Sequence, residues 1–164
     1  MERIDIANGM IFQGLGIKID SFDNRIISQK KIYLLQQLGT ELGYTYNWYI
    51  RGPYSPTLTT YMYNKLDMLA EKDFSNYRLG KEHQENIKKV NLLSEFKSSD
   101  VSLAEWYELL ASLVYISTNK ESWGVTDQKS LFDTLIKHKP QFTLHQCEEA
   151  YRVLNDRSIA LLGI

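Results

Sequence analysis

His83, His138, His145 and the single cysteine, Cys147, are the side chains of this 164-residue chain best suited to metal or covalent chemistry. Structural metal sites announce themselves as paired cysteines or an HExxH helix, and neither pattern occurs. His145 and Cys147 stand two apart, so a helix turns them to different faces. Cys147 shares an apolar face with Leu144, Ala150 and Tyr151, which predicts a buried thiol rather than a thiolate nucleophile. The glycines of GMIFQGLG are too loosely spaced for a dinucleotide loop, no Walker Lys-Ser/Thr follows them, and no GxSxG elbow is present. Glu148 and Glu149 are adjacent and cannot face one site, whereas Glu105 and Glu108 share a face and read as solvent-facing beside a Trp106 stripe. This reading assigns no catalytic residue, no metal ligand and no cofactor, and leans away from an enzyme.

The informative cluster is aromatic. Seven of the eleven tyrosines fall between residues 33 and 63. At its centre stand Tyr46, Trp48, Tyr49, Arg51, Gly52, Pro53, Tyr54 and Ser55. Such residues bury large areas while keeping hydroxyls for hydrogen bonds, and Tyr, Trp and Arg are frequent interface anchors. The cluster therefore reads as a scaffold pinned on two helices, part of which serves as a protein-binding surface. Arg51 either braces the turn or meets a phosphate or an acidic partner. A second set, Lys30, Lys31, Thr57, Thr60, Asn64 and Lys65, is the choice for DNA: Thr and Asn read base edges and lysines engage phosphate.

The elements that must position these residues follow from periodicity. Residues 4–15 fit one helical face, weakened by Gly9 and Gly14. Residues 26–38 give the clearest early helix, with Asn24 or Ser28 as its cap and Lys31 laying its stem along an apolar stripe. The run 44–51 reads as a short strand, with Tyr44, Tyr46 and Trp48 on one side and Thr45, Asn47 and Tyr49 on the other. Gly52-Pro53 breaks it, and Ser55 with Pro56 starts the next helix as N-cap and first helical residue. A polar piece, 71–83, is expected to hold a hairpin near 74–80. Helices follow over 84–97, after Ser102 with Glu105 as a capping box, over 128–138, and after Thr143. The apolar ending SIALLGI is expected to dock on the body.

Helix, helix, strand, helix and hairpin is the order of a winged helix-turn-helix. The fold expected is mainly α (α+β): a winged-helix-like portion over 1–82 with a small β element, and a helical portion over 83–164 wrapping it and sharing its core.

Composition narrows the setting. Nineteen Lys and Arg face twenty Asp and Glu, a net charge of -1 without a polybasic segment, which weakens the DNA reading. With 43% hydrophobic and 24% charged residues the chain is not globally disordered. One cysteine forbids an internal disulfide and suits a reducing compartment. The start, MERIDIANGMIFQGLG, lacks the apolar core of a signal peptide, and no apolar run has the ~18 residues of a span. The expected location is the cytoplasm, with no membrane partner.

The segments KKIYLLQQLG and YTYNWYIRGPYSPTLTTYMYNKLDMLAEK resemble the YwgA-like proteins and the wider Panacea antitoxin-like group, small bacterial and phage proteins. The resemblance rests on Lys31, Ile32, Tyr33, Leu34, Leu35, Gly39, Tyr46, Tyr49, Gly52, Pro53, Tyr54, Ser55 and Leu58, and covers about residues 26–72. It implies a winged-helix-type core, prophage or mobile-element settings, and protein binding or regulation rather than catalysis. The expected function is a non-catalytic protein-interaction module, antitoxin-like or a regulatory adaptor. Its expected partner is a toxin, a protease-adaptor target or a regulator, with a homodimer compatible. The alternative is a winged-helix transcriptional regulator on double-stranded DNA.

Overall fold

The computed structural model describes residues 1–157 and 159. Helices α1 (Arg3–Leu15) and α2 (Phe22–Gln37) lead into strands β1 (Asn47–Tyr49) and β2 (Gly52–Tyr54) and helix α3 (Pro56–Glu71). Then come α4 (Lys81–Leu92), a 3-10 turn (Leu93–Phe96), α5 (Leu103–Thr118), α6 (Lys120–Trp123), α7 (Gln128–His138) and α8 (Leu144–Asp156). The architecture is mainly helical with one antiparallel hairpin near the N-terminus, flanked by helices.

Helix α5 is the axis. Trp106, Leu109, Leu110, Leu113, Val114 and Ile116 are all fully buried, so this helix is apolar around most of its circumference, as a central helix must be. It packs on α2, β2, α7 and α8, and one buried cluster runs from Ile11 to Ile159. Trp106 Nε1 donates to the Leu93 carbonyl and the Tyr107 hydroxyl to the Val90 carbonyl, each at 2.8 Å. These core aromatics tie the end of α4 to α5, the Val90 carbonyl accepting the Leu93 amide as well as the Tyr107 hydroxyl.

Several local expectations hold. Ser55 caps α3 by accepting the Leu58 amide, with Pro56 at the first position. Ser102 and Glu105 form a reciprocal capping box, and Thr143 caps α8. The alternation of Tyr44, Tyr46 and Trp48 inward against Thr45, Asn47 and Tyr49 outward is present.

Others change. Helix α2 starts earlier, capped by Ser21 through the Asn24 amide, while Ser28 bonds both backbone groups of Lys18 instead. The strand is short: only 47–49 pairs, and 44–46 is held by side chains, with the Gln36 amide bonding Leu42 and Tyr44 backbone and the Tyr46 hydroxyl donating to the Gln29 carbonyl. Gly52-Pro53 does not end the β structure but opens its return strand, Gly52 facing Tyr49 and Pro53 facing Trp48. An edge position tolerates a residue without an amide hydrogen. No strand forms at 74–80, where Phe74 packs against Gly9 and a single turn, closed by the Tyr77 amide donating to the Phe74 carbonyl, replaces a hairpin. Of the apolar ending, only Ile159 lies within the described residues, and it is buried.

Candidate functional site

The hairpin stands on a layer of charge. Lys30 of α2 is 1% exposed, and its ammonium donates to the Pro53 carbonyl at 2.8 Å. Lys139, just after α7, is 2% exposed and donates to the Ile50 carbonyl at 2.8 Å and to Glu108 Oε2 at 3.1 Å. Glu108 is equally buried, which corrects its solvent-facing reading: helix periodicity placed it beside the Trp106 face, but hairpin and α7 cover that side of α5. Two lysines thus lie beneath the hairpin, each donating to one of its carbonyls; Lys139 is paired with Glu108, whose charge also acts on Lys30. Above the Lys139 ammonium, at 5.2 Å, lies the ring of Trp48, which also packs edge-on to Trp123 and His138.

A second device fixes the passage into α3. The Gln29 side chain accepts the Ser55 amide at 3.0 Å and donates to the Ser55 carbonyl at 2.9 Å, pairing with it as a strand would. Its amide hydrogens also reach Thr59 Oγ1, at 2.8 Å, and the Thr59 hydroxyl then donates to the Tyr54 oxygen at 2.7 Å. The polarity of that relay leaves the Tyr54 proton pointing onward.

Between these two devices lies a cavity of about 270 Å³. One face of α2, with Phe22, Arg25, Ile26, Gln29 and Lys30 at helical spacing, forms one wall. Arg51, Tyr54, Thr59, Met62 and Tyr63 form the other, and Ile19 closes an end. The lining holds three cations and no carboxylate. Arg25 and Arg51 lie 5.9 and 5.4 Å from the centre of the Phe22 ring.

Burial lowers the Lys30 pKa to about 7; Glu108 opposes the shift, and Lys139 and Arg51 reinforce it. Between that value and the ordinary 10.5 the unfolded chain keeps a proton that the folded chain releases, so stability rises with pH across this window. Lys30→Met is expected to flatten that rise and to be the more stable protein on its acidic side. The vacated Pro53 carbonyl offsets this gain by about 1 kcal/mol. Urea midpoints at several pH values check it, and parallel slopes for both proteins would refute it.

The residues singled out for protein binding do meet here, in two layers. Tyr46, Trp48, Gly52, Pro53 and Ser55 face inward and hold the hairpin; Tyr49, Arg51 and Tyr54 reach the surface, with the Tyr49 and Tyr54 rings 5.2 Å apart. The DNA set divides. Thr57, Thr60 and Asn64 are exposed on one side of α3, and line a shallow depression with Lys65. Lys65 lies 3.5 Å from Asp5 Oδ2. Lys30 is corrected from a phosphate ligand on the surface to a buried floor residue, and the Lys31 ammonium turns to the Leu15 carbonyl at 2.9 Å. Charge counting could not see this, because a lysine after a run of polar residues looks exposed until the hairpin is laid across it.

Cys147 is fully buried, and burial pushes its thiol up to about 12. Among the described residues no group of His, Cys, Asp and Glu gathers as a metal site, and no helix is long and apolar enough to cross a membrane.

Set against known proteins, the chain matches no family model, no curated protein and no solved structure. The residues the sequence did not reveal are Gln29, Glu108 and Lys139. Only the spacing of Phe22, Arg25, Ile26, Gln29 and Lys30 on α2 carried a readable hint of the cavity wall.

Proposed function

We propose that this chain is a non-catalytic protein-interaction module of the cytoplasm, antitoxin-like or a regulatory adaptor, which offers the hairpin, α2 and α3 to a protein partner. The observation that carries this reading is exposed apolar surface on the hairpin, α2 and α3: Ile50 is 92% exposed at the hairpin tip, Tyr49 precedes it and is exposed, and Phe22 and Tyr63, also exposed, line the cavity. Apolar side chains gathered around a recess on a rigid scaffold suit an anchor-and-pocket interface. A volume near the lower limit of small-molecule sites suits one partner side chain better than a cofactor. The resemblance to the antitoxin-like group points the same way. Lys30 and Arg51 meet in the cavity while Lys31 and Lys65 turn to the Leu15 carbonyl and to Asp5, so the four do not form one positive surface; this supports protein over duplex DNA, which needs cations arrayed along phosphates.

Neighbouring gene products, co-expressed with the tagged chain at native levels, supply the test. Ile50→Asp is expected to weaken capture of its partner by about thirtyfold, the scale of an interface hot spot. Tyr77→Ala, at an exposed site between α3 and α4, is expected to leave capture unchanged. Equal capture by the Ile50→Asp protein, or none by the parent, would overturn the reading. Sequence-preferring, salt-sensitive retention of promoter DNA through Thr57, Thr60 and Asn64 would replace it with the transcriptional-regulator alternative.

A further inference from the structure

The cavity beside the hairpin has an excess of hydrogen-bond donors. The Lys30 ammonium carries three hydrogens and meets one acceptor, the Pro53 carbonyl. The Arg51 guanidinium, on an exposed residue, stands over the Phe22 ring and makes no side-chain hydrogen bond or ion pair among the described residues, and Arg25 bonds the Ile19 carbonyl. The Tyr54 hydroxyl is the open end of the relay from Gln29 through Thr59. Glu108, whose charge acts on Lys30, is already engaged by Lys139 and Gln141. A buried, underbonded cation is costly unless an anion completes it.

The walls between these donors are apolar, from Ile19, Ile26, Met62 and the Phe22 and Tyr63 rings. An occupant must therefore bring a negative charge and an apolar group together. Asp or Glu within a chain offers its carboxylate on a short stem that leaves such walls unfilled. A chain terminus presents an apolar side chain and a carboxylate on the same Cα, at the size of one residue.

We propose that the cavity formed by Lys30, Arg51, Tyr54 and the Phe22 and Tyr63 rings is a receptor for the C-terminal residue of a partner protein, its carboxylate held by the cations and its apolar side chain by the walls. This rests on the protein-interaction reading above and names what the partner brings. Proton balance follows from the floor residue. Lys30 is faced by Glu108 of α5, Lys139 after α7, Arg51 of the hairpin turn, and Arg25 and Tyr54 of the cavity itself. Bound carboxylate favours the charged ammonium, so affinity falls as pH rises through neutrality.

N-acetyl-L-phenylalanine and its carboxamide, titrated into the full chain by calorimetry and by NMR, test the assignment. The acid is expected to bind with a dissociation constant of roughly 1 mM, reasonable for so small a ligand. The carboxamide, and the acid on Arg51→Gln, are expected to bind about tenfold more weakly or worse. Affinity for the acid should drop from pH 6 to pH 9, and less so in Lys30→Met. Equal binding of acid and carboxamide would overturn the proposal, as would no binding at tens of millimolar. Tighter binding of phenyl phosphate, or of a blocked peptide with an internal glutamate, would overturn it in favour of those groups. If these titrations fail while Ile50→Asp still abolishes partner capture, the interaction face stands and only its terminal-carboxylate specificity falls.

Discussion

Glu108→Ala is expected to destabilise the protein by about 3–5 kcal/mol at pH 6, the scale found when one member of a buried ion pair is removed. The substitution leaves Lys139 and Lys30 buried without their carboxylate. Lys139 would retain the Ile50 carbonyl and Lys30 the Pro53 carbonyl, but Lys139 and Gln141 would lose the Glu108 oxygen they both bond, and the charge balance would go with it. The response is neutralisation: burial already lowers both lysine pKa values, and Glu108 is what opposes that shift in each. The loss should therefore shrink toward pH 9, where folded Lys30 has shed its proton and burial favours the same release from Lys139. Glu108→Gln, which keeps the shape and an acceptor, should fall between the two proteins. Equilibrium urea unfolding at both pH values measures this. A Glu108→Ala protein within about 1 kcal/mol of the parent at pH 6 would show that the carboxylate does not balance the lysines.

Gly52→Ala should cost about 3 kcal/mol, from two separable sources. The first is backbone: Gly52 sits at φ 89°, a left-handed conformation that an L side chain resists by about 1–2 kcal/mol. The second is contact: a Cβ on Gly52 would stand 2.5 Å from Ser112 Oγ of α5, while Ser112 Cβ is 3.8 Å away. Ser112 Oγ is buried without a hydrogen-bond partner among the described residues, so Ser112→Ala alone should be neutral or slightly stabilising. On the Ser112→Ala background the clash disappears, and Gly52→Ala should lose only its backbone part. A double-mutant cycle by thermal or urea unfolding reads the difference as a coupling of about 1–2 kcal/mol. No coupling would mean that the hairpin lifts off α5 readily, and the close approach of β2 to α5 would not be what fixes it.

Both substitutions act on the same seam, where the hairpin lies across α5, and the seam is where sequence reading falls short. Tyr46 and Trp48 are legible as inward-facing because strand alternation is a property of the local backbone. Ser55, Ser102 and Thr143 are legible as caps because the bond each makes reaches only three residues ahead. Lys30, Glu108 and Lys139 are not legible, because 31 residues separate Glu108 from Lys139 and 89 separate Lys139 from the carbonyl it caps at Ile50. The absent strands at 74–80 teach the same lesson in reverse: a turn-rich composition permits a hairpin, but Phe74 finds its place against Gly9 instead.

From local pattern alone, then, came a mainly helical chain, the caps at Ser55, Ser102 and Thr143, and the inward-facing side of the aromatic run 44–49. Each depends on periodicity or on hydrogen bonds within one turn. Tertiary structure alone decided which charges went inside, where the hairpin closed, and that three cations line one apolar cavity. The physical reason is that a charge enters a core only where distant backbone carbonyls and a counterion complete its shell, and those partners are brought together by folding.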